Sequence, residues 1–142
     1  MFPFLCLLVA SQIVKDGIDI FQEIGYGRVF LYDQKTLDLL VEEIIVYESD
    51  SIYFPGFTHE YITFKLGESF LIGELSLNGV EFFHSKALKS RIIKKYKVIQ
   101  KIKFFVIFEK IKKLPSHYHV LKHNCKHWVS EVIQSILNMI AQ

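Results

Sequence analysis

Three β-rich runs joined by two very short turns constrain this chain more than any other feature. They read HEYITFKL (residues 59–66), SFLIGELSL (69–77) and VEFFHS (80–85), separated by Gly67–Glu68 and by Asn78–Gly79. A connection this short joins only antiparallel neighbours, so the three runs form a meander. The first turn also sets the register. Pairing about Gly67–Glu68 brings Ser76 opposite His59, and strand alternation puts Glu74 on the same face. A polar neighbour for His59 is therefore expected from the pleat alone.

The rest of the chain reads as one domain over residues 1–142, with no repeat or low-complexity linker. Half of it is hydrophobic (51%), which excludes global disorder and supplies a real core. Residues 11–24 (SQIVKDGIDIFQEI) suggest an amphipathic helix, GRVFLYDQ a short strand, and TLDLLVEEIIVYE a second helix. KYKVIQKIKFF suits either helix or strand, and FFVIFEKIKKL suits an amphipathic helix that Pro115 brings to an end. HYHVLKHN follows as a strand or an extended lead into the last helix. That helix is the clearest of all. Asn124 is a good N-cap, and Trp128, Val129, Val132, Ile133, Ile136, Leu137 and Ile140 make a broad apolar face. The expected class is α+β, an antiparallel sheet packed against helices, with the C-terminal helix buried along the sheet.

Capping by Asn124 puts Cys125 at the first helical position. Backbone amides and the helix dipole stabilise an anion there, so the thiol pKa should fall, more so beside an imidazolium. Attack on an acyl group also requires a base and an oxyanion site. The Cys125 amide can serve the oxyanion, whereas the base must come from elsewhere in the fold. A bland reading stands beside this one: a buried cysteine at a helix start is often only a small hydrophobe.

The stretch HNCKHWVSEV resembles the Asn-Cys-x-His-aromatic signature of the permuted papain-like cysteine enzymes. That group includes the lecithin:retinol acyltransferase-type branch of the NlpC-like superfamily. The PPPDE-type peptidases, which remove ubiquitin-like modifiers, carry a similar signature. In both, a histidine opening an earlier strand precedes the cysteine, and THEYITFKL offers His59 in that place. The resemblance covers about residues 55–138 and leaves 1–50 unassigned. It implies a permuted papain-like fold with the nucleophile at the N-terminus of the C-terminal helix. Cys125 would be that nucleophile, His59 the base, and Glu74 the group orienting the imidazole, with Ser76 behind it. The acyltransferase-type branch often has histidine in this third place, and His84 lies too far along for the hairpin pairing. The implied activity is acyl transfer, by a hydrolase or an acyltransferase, through a covalent thioester and without cofactor. Its substrate would be an ester or amide, lipids included. Rival readings are an isopeptidase for ubiquitin-like modifiers, an amidase of peptidoglycan type, and an inactive binding module of papain fold.

His117, His119, His123 and Cys125 alternate, and with His127 they provide five potential zinc ligands. All lie in one short segment with no second cluster to complete a structural site, and Cys125 is committed to the helix start. No metal is expected.

Charge is distributed unevenly. Residues 86–113 hold eleven Lys or Arg against one acid, Glu109, while the remainder holds six basic and fourteen acidic residues. This excess, interleaved with Ile, Phe and Val, suggests an anionic partner: a membrane surface, an acidic protein or, less specifically, a nucleic acid. The bland reading is a solvated lysine face. The two cysteines, Cys6 and Cys125, make no disulfide framework, which points to a reducing, cytoplasmic setting with peripheral membrane contact open. The apolar run 2–10 is too short to span a bilayer and suits either a short signal or a buried first element.

Overall fold

The computed structural model describes residues 18–24, 27–30, 34–50, 56–85 and 90–141, the first two stretches by their backbone alone. The apolar run 2–10, Cys6 and the first residues of the basic segment lie outside these. The meander is present as β4 (Thr58–Leu66), β5 (Ser69–Ser76) and β6 (Gly79–Ser85). Gly67 at φ 66° makes the first turn, and Leu77–Asn78 the second, closed by Gly79 at φ 99°. Both glycines occupy the left-handed region that other residues avoid.

Around the meander lie β1 (Ile18–Ile24), β2 (Gly27–Phe30), β3 (Glu43–Asp50), β7 (Arg91–Val98) and β8 (Ile140–Ala141). They form one sheet in the order β2-β1-β6-β5-β4-β3-β7-β8, antiparallel at every seam except β1–β6. Among the described residues there are three α-helices: α1 (Gln34–Asp38), α2 (Phe104–Ile111) and α3 (Cys125–Ser135). The class is α+β, as the sequence suggested.

Two expected helices hold strands instead, and residues 11–17 of the first lie outside the described residues. Residues 18–24 pair with β2 and β6; Ile18, Ile20 and Ile24 fit a period of two as well as a helical one. Within residues 36–48, helix is confined to the end of α1, and the chain then enters β3. The misleading signal is the unbroken run Ile44–Tyr47, which is buried on both faces of the sheet. Ile44 and Val46 join the main core, while Ile45 and Tyr47 join a smaller cluster with Tyr61, Ile72 and Phe83. A strand covered on both sides loses its alternation and reads like a buried helix.

The main core sits between the sheet and α2 and α3. Phe64, Phe82, Phe104 and Phe108 form a ring cluster with centroids 5.0–6.4 Å apart, and Trp128 is fully buried beside them in the same core. The basic segment divides into strand β7 and helix α2. Ile107, Phe108 and Ile111 of α2 face the core, while Phe105 and Val106 are exposed. Among the described residues no helix is long and apolar enough to cross a membrane.

One seam of the sheet is incomplete, and that positions the site. The β4–β5 ladder ends at Ile62↔Gly73. Beyond it β4 stays paired to β3 as far as Asp50↔Thr58, and β5 stays paired to β6 as far as Ser76↔Gly79. The strands therefore part, leaving the inner edge of residues 58–61 without a strand. Gly73 stands where they separate. A Cβ there would come within 2.6 Å of the buried Phe82 ring, so glycine permits this close approach.

Candidate active site

Helix α3 delivers Cys125 to that gap. Asn124 caps the helix, its side chain accepting from the amides of Lys126 (3.0 Å) and His127 (3.3 Å). The His127 ring returns the favour, Nδ1 accepting from the Asn124 amide at 3.0 Å, which makes a capping box with histidine in the usual place of an acid. Asn124 also ties back to the Val120 carbonyl (3.1 Å). Cys125 is thus the first residue of the helix, buried, with its sulfur directed at β4.

The sulfur takes up hydrogen-bonding positions that β5 has left. The Glu60 amide donates to Cys125 Sγ at 3.4 Å, and the Thr58 carbonyl oxygen lies 4.0 Å from it. In an antiparallel ladder the N–H and C=O of alternate residues face the same neighbour, so Thr58 and Glu60 would have bonded the next strand. They meet a thiol instead. Between them in sequence is His59.

His59 Nε2 donates to Glu74 Oε2 at 2.7 Å, with side-chain exposures of 26% and 12%. The contact follows from the register anticipated above, since every β4–β5 pair fits the turn at Gly67–Glu68. The carboxylate holds Nε2, which leaves Nδ1 as the ring nitrogen outside that contact. Tyr61, next on the same face, stacks on the imidazole (centroids 6.0 Å) and in turn on Tyr47 (5.4 Å). Ser76, the alternative orienting residue, belongs to the turn: its hydroxyl donates to the Gly79 carbonyl and accepts from the Asn78 amide.

The electrostatics follow this geometry. Burial by itself would lower the His59 pKa, but hydrogen bonds to Cys125 and Glu74, together with their negative charges, outweigh it and raise the value from 6.5 to about 9. For Cys125 burial opposes ionisation, yet the hydrogen bond from His59, the Glu60 amide and the imidazolium charge together lower its pKa. Each shift favours a thiolate–imidazolium pair. The nearby Glu60 carboxyl is pushed up by burial and by Glu48, against the pull of Lys126 and His59.

Of the remaining histidines, His84, His119, His123 and His127 hydrogen-bond through their rings, and the exposed His117 takes part through its backbone carbonyl. His119 and His123 exchange backbone hydrogen bonds across a tight turn, and His119 Nδ1 accepts from the amides of Leu121 and Lys122. His123 meets the His117 carbonyl through Nδ1 and Glu131 through Nε2. His84 bonds the Thr36 hydroxyl at 2.9 Å. The segment is thus a hydrogen-bonded loop leading into α3 and not the strand that was one of its two expected forms. Among the described residues no group of three or more His, Cys, Asp or Glu is placed to hold a metal.

Reading the sequence missed two contributors, the Glu60 amide and Tyr61, and gave His127, the motif histidine after Cys125, only a part in packing or shaping the site. The Glu60 amide carries no residue-type signal, because its availability depends on β5 leaving. Tyr61 was accessible through the pleat, two residues after His59. His127 has its role through an i, i+3 relation to Asn124 that resembles a capping box once histidine is allowed as the acceptor. Comparison with protein-family models, curated proteins and solved structures finds no match for this chain.

Proposed function

We propose that this protein is a cysteine-dependent acyl-transfer enzyme in which Cys125 is the nucleophile, His59 the general base and acid, and Glu74 the residue that orients the imidazole. The reading rests on one observation: a helix-capped thiol seated against the strand residues that flank a carboxylate-bound histidine. The resemblance of HNCKHWVSEV and THEYITFKL to permuted papain-like enzymes supports the same assignment.

In the proposed reaction the thiol proton passes to His59 Nδ1 and the sulfur attacks an ester or amide carbonyl. The oxyanion forms at the head of α3, whose Lys126 and His127 amides are taken by Asn124 while that of Cys125 is not among them. As the C–O or C–N bond breaks, the imidazolium returns its proton to the departing oxygen or nitrogen, leaving a thioester on Cys125. Water or an acceptor hydroxyl or amine then attacks the thioester and gives its proton to His59. The acyl group leaves and the thiolate is restored. These steps use only side chains and the backbone of the chain itself. Glu74 keeps the ring turned toward sulfur and stabilises its cationic form.

The test is to capture the intermediate. Incubation with p-nitrophenyl acetate at neutral pH should add one acetyl group to Cys125, found by peptide mapping and removed by hydroxylamine. Cys125→Ser should show no hydroxylamine-labile adduct. Acetylation confined to lysines in the native protein would contradict the assignment and leave a binding module of similar fold as the better reading.

A further inference from the structure

The basic segment has a feature that its charge alone does not reveal. Strand β7 is paired along one side to β3, but on its other side β8 covers only Lys97 and Val98. Among the described residues, the outer edge of residues 91–96 has no partner strand. Five consecutive residues, 91–95, are exposed, including Ile92 (56%) and Ile93 (46%). A register shift between Val46 and Tyr47 places one extra residue in β7, between the pairs made by Ile92 and Lys94. Bulges of this kind bend a strand and re-aim its side chains at sheet edges.

We propose that this open edge of β7 is a docking site for an acidic, extended segment of another polypeptide, taken up as an added β-strand. Three requirements must be met together, and only such a partner meets all of them. The open edge offers a row of backbone N–H and C=O groups about 20 Å long, which another strand can satisfy. Ile92 and Ile93 need apolar cover. Arg91, Lys94, Lys95 and Lys97 need negative charge: Arg91 and Lys95 reach Glu48 (3.0 Å) and Glu43 (3.5 Å) in exposed pairs that are worth little, and no carboxylate pairs with Lys94 or Lys97 among the described residues.

The other anionic partners satisfy fewer requirements. A lipid surface attracts the cations and covers isoleucine but leaves the backbone groups unpaired where water is scarce. A nucleic acid neutralises charge without burying Ile92 and Ile93. A second copy of this chain, paired edge to edge, would bring two sets of cations together. Lysines and bulges on an edge strand hinder self-association, and the same lysines favour an acidic strand.

The experiment uses the full chain and a fluorescein-labelled peptide alternating Glu and Val over eight residues. Saturable binding by anisotropy, weakened by salt and accompanied by slower amide hydrogen exchange at residues 91–96, is the expected result. Lys94→Glu with Lys97→Glu should weaken it about tenfold or more while leaving the melting temperature unchanged. An N-methylated peptide of the same charge should fail to bind, because it cannot complete the ladder. Equal binding of the N-methylated peptide would overturn the proposal in favour of simple ion exchange. So would capture by phosphatidylserine vesicles with no peptide binding, or association of the protein with itself through β7.

Discussion

Replacing His59 with alanine is expected to lower the rate of acyl transfer by about three orders of magnitude or more, comparable with the loss on replacing Cys125 with serine. In the proposed reaction nucleophile and base act as one unit, so removing either would remove most of what the pair achieves, and the double variant should be little worse than either single one. Two effects combine in His59→Ala. The thiol loses the imidazole interactions that lower its pKa, leaving only the Glu60 amide against the upward push of burial, and the leaving group loses its proton donor. The pH profile carries a further signature. His59 titrates at about 9, so the imidazolium is present below that pH and lost as pH rises through it. Activity should therefore hold through neutral pH and fall on the alkaline side near 9, with an acid limb where Cys125 becomes protonated. Glu74→Gln removes a carboxylate that raises the His59 value, so the alkaline limb should move to lower pH. Steady-state rates on an activated ester across pH 5–10 would detect both changes. An unshifted limb in Glu74→Gln would mean that the carboxylate does not act on the imidazole.

Trp128→Ala should be the most destabilising single change in α3, by about 3–5 kcal/mol. The indole is fully buried in the main core between sheet and helix, so truncation leaves a cavity that rigid neighbours cannot close. Since small domains are stable by only about 5–15 kcal/mol, this is a large share of the whole. Among the described residues the Trp128 indole N–H has no hydrogen-bond partner, a cost that the native protein already bears. Trp128→Phe loses volume but also removes that unpaired donor, so it should cost distinctly less than alanine. Urea unfolding followed by circular dichroism would rank the two. If phenylalanine proved as costly as alanine, the loss would have to come from the N–H and not from packing.

The sequence was most informative where short-range chemistry decides the outcome. The turn at Gly67–Glu68 set the register that joins His59 to Glu74, and Asn124 announced the helix that begins at Cys125. Legibility failed where an element is defined by what covers it. Ile44–Tyr47 read as a helix because both faces of β3 are buried, and the exposed edge of β7 could not be inferred without knowing that β8 is two residues long. The parting of β4 from β5 was hidden for a similar reason. It requires each strand to keep its outer partner while losing the inner one, and only Gly73, with the Phe82 ring against its Cα, hints at the place. The site therefore combines a legible pair, His59 and Glu74, with a seat for sulfur that exists only in the assembled sheet.

The central claim is that Cys125 and His59 share a proton across that seat. Its most direct test is the rate of alkylation of Cys125 by iodoacetamide between pH 5 and 10, followed by mass spectrometry in the native protein and in His59→Ala. The account predicts that native Cys125 reacts well below the pH at which an ordinary thiol ionises, and that His59→Ala shifts the profile upward. Each unit of that shift reduces the thiolate population at neutral pH by about tenfold. Profiles that coincide, with the native thiol ionising no earlier than the variant, would contradict the pairing and return Cys125 to the role of a small buried hydrophobe at the head of a helix.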